Sequence, residues 1–195
     1  MSAATPKGQV GIIGLGIMGG AIAKNLSAAG WQVIGFDIAK ERCDDARAAG
    51  AEIAGSAVAV AEKAANILVS LPKPEALMAT VAAIADAKLP RRVIAELSTF
   101  SLDDKTAAEA ALRAAGHVLL DCPLSGTGAQ ARTKDLVVYA SGDSAAIKPM
   151  MPVFADFSRQ AHDLGAFGNG MKMKFVATCW SRSTTWRAPR RWCSA

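Results

Sequence analysis

Residues 9–37 read QVGIIGLGIMGGAIAKNLSAAGWQVIGFD, and this stretch decides the fold. It opens on a short β-branched run, 10–13, that predicts a buried strand. Gly14, Leu15, Gly16, Ile17, Met18 and Gly19 follow, then a stretch of helical character to Ala29 and a stop at Gly30. Residues 32–36 predict a second strand, which ends on Asp37. Strand, glycine turn, helix, strand and acid, in that order, form the dinucleotide-binding fingerprint in the context it requires. Gly14 permits the tight turn, Gly16 lets backbone approach a pyrophosphate, and Gly19 lets the helix pack closely. The free N–H groups at the helix start favour phosphate. Asp37 stands 18 positions after Gly19, where a carboxylate accepts from both hydroxyls of an adenosine ribose. It would repel a 2′-phosphate, so NAD is expected in preference to NADP.

At 195 residues the chain holds one sizeable core with little left for a second domain. No apolar run reaches the length of a membrane span, and residues 1–8 lack the apolar core of a signal peptide, so a cytoplasmic protein is expected. Cys43, Cys122, Cys179 and Cys193 show neither metal-ligand spacing nor a disulfide framework, and no metal site is expected. The net charge of +5 is uneven: residues 178–195 carry Arg182, Arg187, Arg190 and Arg191 with no acid. The body is therefore nearly neutral, which argues against a nucleic-acid partner.

Beyond Asp37 the pattern alternates. Helices are expected over 40–49, from Ser56 to Ala64, over 75–85 after Pro74, from Ser101 onward, and over 143–154 with Pro149 and Pro152 as irregularities. Strands are expected near Glu52 and Ile53 and over 66–71, 93–97, 118–120 and 136–140. This βα alternation predicts an α/β, Rossmann-type doubly wound fold with a mostly parallel sheet. Ligands in such sheets sit beyond the carboxyl ends of the strands.

Several strand ends carry candidate chemistry. Leu71 and Pro72 open either a proline-stiffened turn or a wall against the adenine or ribose. Ser98 and Thr99 either cap the next helix or lie near a nicotinamide ring. The run DCPLSGTG, 121–128, combines a proline exit with Ser125, Gly126 and Thr127, either a loop of turn formers or a cradle for a carboxylate. Cys122 has no base beside it and reads as a packed thiol, and His117 and His162 read as ordinary surface or packed residues. Lys172 reads as a solvated charge. Lys174, on the helix opened by GNGMKMK, is either another or a lysine aimed into a cleft, where burial would lower its pKa and fit it to exchange a proton with an alcohol oxygen.

Four stretches together, GIIGLGIMGGAIAKNL (11–26), ELST (96–99), DCPLSGTGA (121–129) and GNGMKMK (168–174), resemble the β-hydroxyacid dehydrogenase family, which includes 3-hydroxyisobutyrate dehydrogenase and, more distantly, 6-phosphogluconate dehydrogenase. The resemblance implies NAD(P)-dependent oxidation of a small hydroxy acid at its CH–OH group, or the reverse reduction. It implies Ser98 or Thr99 near the nicotinamide, Ser125, Gly126 and Thr127 on the substrate carboxylate, and Lys174 as the general acid/base. Thr127 departs from it, because the family has a second glycine there. The family's lysine helix also leads into an all-helical second domain that closes the cleft and mediates dimerisation. Here Thr178 stands where the family has asparagine, and a stretch rich in Arg and Trp follows without helical period. Writing Thr-Cys-Trp-Ser-Arg-Ser-Thr-Thr as ACC-TGC-TGG-TCG-CGA-TCC-ACA-ACG and restoring one A in front encodes Asn-Leu-Leu-Val-Ala-Ile-His-Asn. A shifted reading frame is therefore the expectation. Residues 1–165 are expected as the dinucleotide-binding domain, 166–177 as the start of the interdomain helix and 178–195 as a disordered basic tail. The family's homo-oligomer is doubtful without the helical domain. An exposed apolar patch is expected near Phe175 and Val176, and a dinucleotide-binding fragment without activity is the competing function.

Overall fold

In the computed structural model, residues 7–184 are described, with side chains through Cys179. The chain begins with β1 (Gln9–Ile13), α1 (Ile17–Ala28) and β2 (Gln32–Phe36), then α2 (Lys40–Ala48) and the two-residue β3 (Glu52–Ile53). It continues through α3 (Ala57–Lys63), β4 (Asn66–Val69), α4 (Pro74–Asp86), β5 (Val93–Glu96), α5 (Leu102–Ala114) and β6 (Val118–Asp121). These six strands form one parallel sheet in the order β3-β2-β1-β4-β5-β6. The order reverses between β1 and β4, so a crevice opens beyond their carboxyl ends. The doubly wound expectation holds.

Alternation along each strand sends successive side chains to opposite faces. Ile12 and Leu68 join the core that includes Leu26 of α1, and Ile13 and Ile67 the one that includes Leu77 of α4. Burial of each such side chain contributes roughly 1.5–3 kcal/mol, which explains why these strands read as unbroken apolar runs. Ser56 caps α3 by accepting from Ala59 N, Ser101 caps α5 by accepting from Asp104 N, and Pro74 occupies the first turn of α4, all as expected.

The chain after β6 departs from expectation. Residues 136–140 do not join the main sheet. Strand β8 (Val137–Ala140) lies in a separate three-stranded sheet, antiparallel to β7 (Leu124–Ser125) and parallel to β9 (Gln160–Asp163). Pro123 has no N–H to extend the β6 ladder, and the chain turns away there. Helix α6 (Gly128–Arg132) and strand β7 are too short to give a periodic signal, and β9 is largely exposed. Helix α7 (Ser144–Phe157) runs through both prolines. Its buried Ile147, Met150, Val153, Phe154 and Phe157 offset the lost N–H groups. Helix α8 (Asn169–Thr184) passes residue 177, where a non-helical tail was expected. For 178–184 that expectation is corrected: once a first turn is held, each further residue adds a bond at little cost, and no glycine or proline intervenes. Residues 185–195 lie outside the described part. Among the described residues no helix is long and apolar enough to cross a membrane.

Candidate functional site

The turn after β1 is built from its glycines. Gly14 has φ +91°, and a Cβ there would lie 2.1 Å from the Ser70 carbonyl oxygen, so β4 closes directly on this turn. At Gly19 a Cβ would lie 1.9 Å from the Gly14 oxygen, which lets α1 start against the turn. Gly16 is different: a Cβ there meets no protein atom within 4 Å. The fold does not demand that glycine, but a ligand lying against the backbone would. The residues present therefore fit a dinucleotide diphosphate at the start of α1.

Asp37 closes β2 beside this turn. Its Oδ2 accepts from Leu15 N at 2.7 Å and its Oδ1 from Ala39 N at 2.8 Å. Two backbone amides thus orient the carboxylate, and each oxygen keeps a lone pair for a further donor. Gly14, Gly16, Ile17, Met18 and Asp37 line one side of a crevice of about 630 Å³, and Leu71 and Pro72 the other. Ile38, at the end of the same strand, is 94% exposed. Arg42 borders this crevice and also a second cavity of about 500 Å³ between α1 and α2, to which Lys24 and Arg132 contribute.

A smaller cavity of about 310 Å³ adjoins the crevice, sharing Met18, Ser70, Leu71 and Pro72 with it. Ser98, Thr99, Gly126 and Lys174 line it from three separate parts of the chain. Neither Ser98 nor Thr99 caps α5, whose cap is Ser101. The Ser98 hydroxyl accepts from Leu71 N at 3.0 Å, tying the ends of β4 and β5 together. Lys174 Nζ donates to the Leu124 carbonyl at 2.7 Å, and burial holds its pKa below the ordinary lysine value. Lys172, two residues away, is exposed.

The loop from Ser125 to Gly128 divides between two tasks. Gly126 faces the cavity with φ +138°. Ser125 pairs with Val137 in the small sheet, and Thr127 caps α6 in a capping box with Gln130, so neither borders the cavity. A Cβ on Gly128 would lie 2.4 Å from Ile17, so this loop packs directly on the dinucleotide turn. Cys122 is fully buried, and burial drives its thiol far above the usual range, which makes it the inert thiol expected. His117 is buried at the far end of β6, with Nδ1 accepting from Arg92 N, and His162 is exposed in β9.

The sequence reading misses a buried group behind this cavity. Lys105, Glu96 and Asp121 are each fully buried, and Lys105 Nζ stands 2.7 Å from a carboxylate oxygen of each acid. A signal was present: Lys105 occupies the same helical stripe as Ala108 and Leu112, and both acids end otherwise apolar strands.

Comparison with known proteins agrees with this geometry. The family described as the NAD binding domain of 6-phosphogluconate dehydrogenase matches residues 9–168. The chain is 28% identical over 171 residues to glyoxylate/succinic semialdehyde reductase 1 of Arabidopsis thaliana, covering 86% of this chain and 59% of that protein. It is 31% identical over 176 residues to the NAD-dependent L-serine dehydrogenase of Pseudomonas aeruginosa, covering 85% and 57%. Among solved structures, the Mycobacterium tuberculosis 3-hydroxyisobutyrate dehydrogenase with L-serine superposes with a TM-score of 0.85 at 27% identity, over 89% of this chain and 60% of that one. The chain thus spans under two thirds of the length of each of these relatives. With the fingerprint turn, the 3-2-1-4-5-6 sheet and these matches together, the chain belongs to the family of the NAD-binding domain of 6-phosphogluconate dehydrogenase, among relatives of the 3-hydroxyisobutyrate dehydrogenase type.

Proposed function

We propose that this domain binds NAD, and that the whole protein transfers hydride between the nicotinamide and the CH–OH carbon of a small 3-hydroxy acid. The carrying observation is the convergence of Ser98, Thr99, Gly126 and Lys174 on one cavity continuous with the crevice of the fingerprint turn. The turn from Gly14 to Gly19, with the start of α1, would hold the diphosphate, and Asp37 the adenosine ribose. A carboxylate at that point disfavours a 2′-phosphate, which supports NAD over NADP; Arg42, which also lines the crevice, works against the preference. Leu71 and Pro72 form an apolar wall, and exposed Ile38 offers another apolar surface at the mouth.

Bound nicotinamide supplies the two-electron hydride acceptor or donor. The protein's own residues manage the proton and the pose. Burial biases Lys174 toward the neutral amine, which accepts the hydroxyl proton as the alcohol is oxidised; in the reverse direction the ammonium returns a proton to the carbonyl oxygen. The Leu124 carbonyl holds Nζ at the cavity between these events. Of Ser125, Gly126 and Thr127, Gly126 borders the cavity and would receive the substrate carboxylate; Ser125, paired with Val137, and Thr127, engaged with Gln130, would hold that backbone in place. The relatives' names, which include L-serine and glyoxylate/succinic semialdehyde, favour small acids.

A second reading, a dinucleotide-binding fragment without turnover, is supported by one observation. Met173, Phe175 and Val176 flank Lys174 yet are 41%, 51% and 61% exposed, so water reaches the helix that carries the lysine. Charge stabilisation weakens in a wet site. Fluorescence titration with NADH and assay of a panel of 3-hydroxy acids test both readings. Binding with turnover that Lys174→Met abolishes, at unchanged NADH affinity, supports the first. Binding without turnover selects the second, and failure to bind NADH refutes both.

A further inference from the structure

The buried Lys105, Glu96 and Asp121 have no part in the reaction as proposed. One amine meets two carboxyl groups within the core, an arrangement that burial makes costly. Apolar residues of similar volume often stabilise such a site as well or better, so stability alone does not explain the cluster. Burial raises the Glu96 carboxyl above its ordinary range despite the pull of Lys105.

The cluster's hydrogen bonds lead outward in two directions. On one side, Glu96 Oε1 accepts from Ser98 N at 2.7 Å, and the Ser98 hydroxyl accepts from Leu71 N. On the other, Asp121 Oδ2 accepts from Met171 N at 2.9 Å and from the Ser141 hydroxyl at 3.1 Å. Ser141 Oγ accepts in turn from Gly170 N at 2.9 Å. Gly170 and Met171 belong to the first turn of α8, whose open N–H groups therefore meet a carboxylate and a hydroxyl supplied by distant strand ends. Lys174 follows Met171 by about one helical turn. A continuous polar chain thus joins the wall that carries Ser98 to the helix that carries Lys174.

We infer that Lys105 is a positioning residue: by holding Glu96 and Asp121 together it sets Ser98 on one wall of the cavity and, through the first turn of α8, Lys174 on the other. This rests on the reading of Lys174 as the acid/base, but not on cofactor binding. Neither strand end alone places the lysine. The ladder already holds β5 beside β6 there, with Glu96 opposite Asp121, so the ammonium between the acids fixes the direction in which each carboxyl group points.

The test reads the seat of Lys174 directly, by NMR titration of ¹³C-methylated lysines, with the Lys174 signal assigned through Lys174→Arg. Asp121→Asn leaves Lys105 balanced by Glu96 and removes the charge that Met171 N–H meets. In the wild type, the Lys174 signal is expected to titrate below the ordinary lysine range, because the amine is half-buried. In Asp121→Asn its proton affinity is expected to rise about threefold or more, while NADH affinity stays within about twofold. A folded Asp121→Asn with unchanged Lys174 titration overturns the inference. So does a parallel collapse of NADH affinity, which would make the cluster a general prop of the fold. If Asp121→Asn fails to fold, Ser141→Ala serves, because it keeps all three ionisable groups and removes the acceptor of Gly170 N together with the hydroxyl that donates to Asp121. A smaller shift in the same direction supports the inference, and no shift overturns it. If the wild type binds no NADH yet Lys174 responds as expected, the cofactor reading falls and the positioning role stands.

Discussion

Replacing Gly16 by alanine separates what the fold needs from what a ligand needs. Gly16 is the N-cap of α1, with φ −64°, a value alanine adopts freely. Its added Cβ would meet no protein atom within 4 Å. Alanine is a poorer N-cap than glycine by roughly 0.5–1 kcal/mol. It also restricts the unfolded chain, which returns about 0.4–1 kcal/mol. The two nearly cancel, so the ligand-free protein should unfold within about 0.5 kcal/mol of the wild type. Binding should behave otherwise. The methyl group would stand where the diphosphate approaches the first turn, costing at least one hydrogen bond to a charged group, about 1.5–3 kcal/mol. That is about a 10- to 150-fold rise in the NADH dissociation constant. Denaturant unfolding without ligand and NADH fluorescence titration measure the two quantities. Wild-type affinity in Gly16→Ala would refute the assignment of this crevice to a dinucleotide, and a loss of more than about 1.5 kcal/mol without ligand would refute the open space described at Gly16.

Asp37→Ala should weaken NADH by about 10- to 100-fold and narrow the gap between NADH and NADPH, since the carboxylate goes and Arg42 stays; unchanged selectivity in paired titrations would contradict its role. The same change frees the amides of Leu15 and Ala39 and should lower stability by about 1–3 kcal/mol in denaturant unfolding. Burial holds the His117 imidazole below its usual pKa of 6.5, so the unfolded chain binds its proton first as pH falls. Stability should therefore decline as pH drops from 6.5 toward the folded-state value, and His117→Asn should flatten that slope in urea unfolding across pH. Cys122 should resist iodoacetamide in the folded protein at pH 8 while exposed Cys179 reacts, as peptide mass spectrometry would report.

Legibility followed the range over which each signal acts. The main sheet was readable because strands such as residues 66–69 and 93–96 are buried on both faces, and their helices carry local caps in Ser56 and Ser101. The fingerprint turn was readable for the same reason, since its chemistry lies within consecutive residues. What escaped is non-local. The small sheet was invisible because β7 has two residues and β9 is largely exposed, so neither alternates detectably. Thr127 looked like a wall of the substrate pocket, whereas its hydroxyl caps a five-residue helix with Gln130. The cap of α8 comes from Ser141 and Asp121, 29 and 50 positions earlier, where no local rule looks for it. Lys105 was passed over because a lysine in a helix reads as solvated until the stripe it shares with Leu112 is counted as core.

The anchoring of α8 at one end gives the helix the mechanics of a lever. Its first turn is pinned to β6 and the small sheet, but past Lys174 the described side chains through Cys179 are exposed or half-buried. At about 1.5 Å per residue, Lys174 sits roughly 8 Å from the pivot and Thr184 roughly 23 Å. A tilt of about 10° that swings the far end by roughly 4 Å moves the amine by just over 1 Å, the scale on which proton transfer is won or lost. Whatever grips the far end of this rod would thus steer the lysine with a threefold reduction in travel.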